Sequence, residues 1–210
     1  MHSDDSTLPD EVDVLLLKAG YRNDESLDAS IVAHLRSDPP RRRILALRAA
    51  LRRDIVTDDD WRAALSDKDV EVRREALMLI AGVEIEDESL FALLIAALED
   101  DDALVVDGAA FALGEHLHLP AVERLITVAD THEDPRCRES AIAALGAMGD
   151  DRAREVIVAA LEDKPAVRRR AIVALANFEG PDIDAALARA SEDRDWQVRA
   201  AVDQLGRFEE

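Results

Sequence analysis

Three histidines, His116, His118 and His132, have the donor type that suits a transition metal, and two of them flank a single residue. The surrounding pattern puts His116 and His118 before a helix over 120–130 and His132 after it. About 11 residues of helix would hold the two ends roughly 16 Å apart, so surface loops are expected rather than a ligand set. The acidic run at 99–102 offers carboxylates to a hard cation, but it precedes a helix N-terminus, where the macrodipole favours negative charge. The same reading applies to Asp58–Asp60 and to 86–88. Cys137 would be a nucleophile only beside a base in an exposed, electropositive setting. It stands where related segments carry Val72, Val106, Val167 and Val198, which predicts a buried packing role. No phosphate-loop, dinucleotide-binding, nucleophile-elbow or zinc-ligand spacing occurs. No catalytic residue, metal or cofactor is therefore expected.

What remains is a recurrent guanidinium. Segments starting at Asp67, Asp101, Asp134, Asp163 and Asp193, with a weaker one at Asp38, each read as an acidic turn, a Val-Arg-like pair, then small and aliphatic residues at helical spacing. Aligned on the basic position the anchors are Arg43, Arg73, Asp107, Arg138, Arg168 and Arg199, separated by 30, 34, 31, 30 and 31 residues. An arginine and an aspartate recurring once per repeat predict a ladder of charge-assisted hydrogen bonds between adjacent repeats. Three residues beyond each anchor stands Ala46, Ala76, Ala110, Ala141, Ala171 or Val202, where helices must approach closely. Leu113, Leu145, Leu175 and Leu205 follow a turn later and complete one apolar stripe per helix.

The elements that position these residues are pairs of short helices. Partners of about three turns are predicted over 58–66, 88–99, 120–130, 152–162 and 182–191. Thr57 reads as an N-cap, Pro165 and Pro181 as helix starts, and Gly82, Gly146, Gly180 and Gly206 as helix ends. Such a pair cannot bury its own stripe, so neighbours must stack. The expectation is an all-α, right-handed α-solenoid of about six antiparallel helix pairs, with an extra N-terminal helix near 10–19. It occupies residues 10–210 as one domain behind a disordered tail, 1–9. Trp61 and Trp196 are read as packing or end-capping residues.

A formal net charge of −20 over 210 residues repels phosphate backbones and anionic membranes, so neither nucleic acid nor membrane is an expected partner. Residues 1–10 carry acids and no basic region, and the apolar run Val14–Leu17 is too short for a signal sequence or a span. Together with a single cysteine, this leads to a cytoplasmic expectation.

These segments resemble HEAT repeats, particularly the class of about 30 residues known from phycobilisome lyase-like proteins, over roughly Leu27 to Phe208. The resemblance implies a non-catalytic scaffold or adaptor binding a protein partner on a concave face, with a bilin lyase-like or chromophore-handling role as the alternative. Iron-dependent deoxyhypusine hydroxylase-like proteins, which share such repeats, carry His-Glu pairs where this chain has Arg74-Glu75 and Arg138-Glu139. DNA glycosylase-like helical repeats need a basic cleft that the charge denies. On the expected exposed face the partner-binding positions are Arg74, Glu75, Glu139, Ser140, Arg169 and Arg170. Repeat three offers Gly108, Ala109 and Ala112 there, an uncharged seat between charged shoulders.

Overall fold

The computed structural model describes residues 10–22 and 24–206, so the expected tail at 1–9 lies outside the described residues. Among these residues the regular structure is entirely helical, with thirteen α-helices. Their contacts group into two compact units, one reaching Leu79 and one starting at Ile80.

The first unit holds α1 (Glu11–Ala19), α2 (Asp28–His34), α3 (Pro40–Arg52), α4 (Asp58–Leu65) and α5 (Val70–Ile80), whose last residue belongs to the second unit. Asp10 caps α1 by accepting from the Val12 and Asp13 amides. Both α1 and α2 pack against α3, burying Leu16, Ile31, Ala46 and Leu47. Thr57 starts α4 with a capping box closed by Asp60, as its sequence predicts. Asp60 is buried and receives Arg36 Nη1 at 2.7 Å.

The second unit continues the pairing: α6 (Glu88–Ala96) with α7 (Ala103–Glu115), α8 (Val122–Thr131) with α9 (Pro135–Met148), α10 (Arg154–Ala159) with α11 (Pro165–Leu175), and α12 (Pro181–Ala190) with α13 (Trp196–Gly206). Six pairs and one leading helix are what the repeat spacing requires. The second helices form the continuous layer: α7 packs on α9, α9 on α11 and α11 on α13, while α8, α10 and α12 cover them. Ala110, Ala141, Ala171, Leu113, Leu145 and Leu175 are buried in that layer, which is why the small residues recur.

Pro165 and Pro181 occupy the first turn of α11 and α12, where a missing N–H costs nothing. Gly180 caps α12 with φ 134° and Gly206 is the last described residue of α13, but Gly146 is not a helix end. It lies inside α9, where an added Cβ would stand 2.5 Å from the Ala174 Cβ and 2.7 Å from its Cα on α11. Gly114 meets Ala144 of α9 in the same way, at 2.9 and 3.0 Å. α9 ends instead at Gly149, whose φ of 61° closes a left-handed cap.

The third repeat corrects the sequence alignment. Asp102 caps α7 as Asp134 caps α9, and Leu113-Gly114 matches Leu145-Gly146 in burial and close approach. The residue equivalent to Arg138 is therefore Val106, not Asp107, and Asp107 corresponds to Glu139. Aligning on charge shifted this helix by one residue, about 100° of rotation. Gly108, Ala109 and Ala112 consequently face the core and are buried, so the expected open seat does not exist.

Candidate functional site

The recurrent arginines form the predicted ladder. In the first unit Arg43 donates from Nε and Nη2 to the two carboxylate oxygens of Asp67, at 2.7 and 2.8 Å, and from Nη1 to the Ser37 carbonyl at 3.0 Å. In the second, Arg138 chelates Asp163 at 2.6 and 2.7 Å while donating to the His132 carbonyl at 2.6 Å. Arg168 chelates Asp193 at 2.8 Å through both contacts and donates to the Asp163 carbonyl at 2.7 Å. Each arginine thus fastens the turn before its own helix and reaches across to the next. The Arg138 and Arg168 guanidinium groups hold Asp163 and Asp193 below the usual carboxylate range. Val106 breaks the series, and the position where its aspartate would stand is His132. These arginines are structural and leave no fork free for an anion.

The other candidate chemistry is likewise absorbed. Cys137 is buried and donates to the Ala103 carbonyl at 3.0 Å, and burial pushes its thiol up to about 11. His118 stacks on Phe91 with ring centres 4.0 Å apart, and His116 meets the same ring edge-on at 5.4 Å. Burial lowers the His118 pKa from 6.5. His132 accepts the Asp134 amide at its Nδ1. No group of three or more potential metal ligands exists among the described residues. Nor is any described helix long and apolar enough to cross a membrane.

What the second helices leave open is one face. With the register corrected, the residue five beyond the anchor is Phe111 on α7, Ala143 on α9 and Val173 on α11. Phe111 and Val173 are 41% and 52% exposed, and the corresponding residue of α5 is Met78, at 57%. Trp196, at the first turn of α13, is 67% exposed, so it is not a core packing residue. In the second unit two clefts flank this row. One, of about 240 Å³, is bounded by Phe111, Glu115, Glu139, Ser140, Ala143 and Arg170. The other, of about 290 Å³, lies among Arg169, Arg170, Val173, Trp196 and Gln204.

Of the positions expected from sequence, Glu139, Ser140, Arg169 and Arg170 are brought together at these two clefts, with Arg170 common to both. Ser140 donates to Asp107, Arg169 to the Gln197 side chain at 3.0 Å, and Arg170 touches Glu139 at 3.5 Å. Arg74 and Glu75 belong to the first unit and are engaged there: Arg74 pairs with Glu71 at 2.6 Å, and Arg48 chelates Glu75 at 2.5 and 2.6 Å. Gly108, Ala109 and Ala112 are in the core.

A sequence profile described as HEAT repeats matches residues 102–166 and 122–206, together half of the chain. The chain belongs to the HEAT-repeat family. No curated protein matches it in sequence. Among solved structures, this HEAT-repeat protein is similar to a chain of the CpcE–CpcF complex of phycocyanin lyase from Nostoc sp. PCC7120, at 22% identity and a TM-score of 0.64 over 72% of this chain. It spans 64% of the length of that lyase chain. The YIBA protein of E. coli matches at 20% identity and a TM-score of 0.63, over 92% of this chain and 73% of that one. A designed armadillo repeat protein in complex with the peptide (KR)4 matches at 15% identity and a TM-score of 0.56, over 94% and 99%. At such identities these likenesses establish the helical-repeat fold and nothing further.

Sequence reasoning missed Phe111, Val173 and Trp196 in this HEAT-repeat protein. The signal that could have found Phe111 is the Leu-Gly ending shared by α7 and α9, which sets the register without reference to charge.

Proposed function

We propose that the chain is a non-catalytic protein-binding scaffold whose contact surface in the second unit is the exposed face of α7, α9, α11 and α13. The observation that carries this reading is a pair of large, exposed apolar residues at one helical position, Phe111 and Val173, each lining a cleft of its own. Scattered exposed apolar residues are ordinary, but exposed apolar residues at one repeat position, each beside a cleft, are the form of a recognition surface. The family supports it: repeat arrays of this kind generally use such extended surfaces to bind proteins.

The test is affinity capture on the immobilised full chain, comparing the unmodified protein with Phe111→Ala and Val173→Glu. A partner that binds the unmodified chain is expected to be lost from both variants while their thermal midpoints stay unchanged. Retention by both would refute this face as the contact surface. The likeness to a phycocyanin lyase chain motivates a second reading, handling of a linear tetrapyrrole. Saturable visible-absorbance change on titrating the chain with bilin would favour that reading over the scaffold.

A further inference from the structure

Ala143 and Ala147 stand on α9 where α7 carries Phe111 and Glu115, so the face drops between neighbouring second helices. The resulting slot is lined by Gly114, Ala143, Ala144 and Ala147, with Phe111 along one side. Its rim carries two carboxylates, Glu115 and Glu139, against one guanidinium, Arg170. Glu115 has no ion-pair partner among the described residues, and the Arg170 contact to Glu139, at 3.5 Å, is long for a charge-assisted bond.

We propose that this slot receives one lysine or arginine side chain from an extended segment of the partner, a proposal that rests on the scaffold reading. The aliphatic stem lies along Phe111 and Ala143 and the charged head reaches Glu115 and Glu139. A long basic side chain is the residue type that matches both an apolar wall and an acidic rim, and a cation beside an exposed aromatic ring gains further attraction. Two carboxylates and one arginine leave the rim one negative charge, which a single basic head neutralises. A volume of about 240 Å³ accommodates one such side chain and excludes a helix. The net charge of −20 draws cationic segments toward the chain before contact. The first unit makes the same kind of contact internally: Arg48, on α3 at the position equivalent to Phe111, lies over its own second-helix face and is chelated by Glu75 of α5.

The probe is a fluorescein-labelled (KR)4 peptide, titrated with the full chain at about 0.15 M salt, where general attraction is screened beyond roughly 8 Å. Glu115→Gln with Glu139→Gln is compared with Asp130→Asn plus Glu155→Gln, which removes the same charge from exposed positions on α8 and α10. The expected result is at least a tenfold loss for the slot pair, less than twofold for the control pair, and a clear weakening by Phe111→Ala. Equal losses from both pairs overturn the slot, because binding then follows net charge alone. No saturable binding of the peptide, with a protein partner still captured and still lost on Val173→Glu, overturns the slot while the scaffold reading stands. If the captured partner is also indifferent to Val173→Glu and Phe111→Ala, both readings fall together.

Discussion

Replacing Gly146 by alanine sets two effects of known size against each other. Within a helix, Gly→Ala is worth about 1 kcal/mol of stability through propensity. Here the new methyl would lie 2.5 Å from the Ala174 Cβ and 2.7 Å from the Ala174 Cα, roughly an ångström inside ordinary contact. The obstacle is backbone, which cannot swing aside as a flexible side chain would, so α9 and α11 must separate. A gap of 0.5–1 Å forfeits about a quarter to a half of each dispersion contact along the seam, and overpacking of this kind costs about 1–3 kcal/mol. Because the clash is with backbone, the upper half of that range applies. The expected net is a loss of about 1–2 kcal/mol, or several degrees at about 2–4 °C per kcal/mol for a chain of this size. Gly114→Ala, whose added Cβ meets the Ala144 Cβ and backbone Cα at 2.9 and 3.0 Å, should also destabilise, by less than Gly146→Ala. Urea and thermal unfolding of the two variants, and of Gly146→Ala combined with Ala174→Gly, measure this directly. The double variant should recover part of the loss, with a coupling of at least about 0.5 kcal/mol. If Gly146→Ala raises the midpoint as propensity alone demands, the α9–α11 approach is not as close as described.

Four further outcomes follow from the same packing. Arg168→Ala removes a buried guanidinium that chelates the part-exposed Asp193 and should cost about 1–3 kcal/mol in denaturant unfolding, with Arg168→Lys recovering little because one ammonium cannot replace the fork. Asp163 and Asp193 have pKa values lowered by their arginines, so their contribution is present above the unfolded value of 3.8 and is lost as pH falls through the folded ones; acid unfolding of the parent should steepen below about pH 4, and that step should shrink in Arg168→Ala. Ala109→Glu buries a carboxylate in the core of α7 and should abolish cooperative folding or cost at least about 3 kcal/mol, whereas an unchanged melt would restore the exposed seat that the register correction removed. His118, with its pKa lowered by burial, should favour the fold above pH 6.5 and cease to do so as pH falls below it, which ring-proton titration by NMR would show as a midpoint under 6.5.

The helix pairs, their caps and the arginine ladder were legible in sequence because each is written within about 30 residues and repeated, so an error in one copy is exposed by the others. The Thr57 cap, the prolines at α11 and α12, and the burial of Cys137 in a valine slot all have local causes of this kind. The third repeat was misread for a physical reason: its charged residue is not the ladder residue, and charge is a poorer guide to helix rotation than the buried Leu-Gly pair. One residue of shift sent Ala109 and Ala112 to the wrong side of α7 and hid Phe111. Gly146 was misread because a close helix approach and a helix end both select glycine, and only the position of the neighbouring α11 distinguishes them. Trp196 depends on what lies beyond the first turn of α13, which no local pattern states.

The ladder also bears on how the chain can change in length. Arg138 and Asp163 lie 25 residues apart, as do Arg168 and Asp193, and the Asp163 backbone carbonyl serves the arginine that follows it. A genetic duplication of residues 138–167 would therefore carry both halves of every contact it needs, and the added pair of helices would meet compatible partners on either side. A copy whose edge fell between Val106 and His132 would instead set an arginine opposite histidine, or an aspartate opposite valine. Growth and loss of repeats by recombination are thus expected to spare that junction.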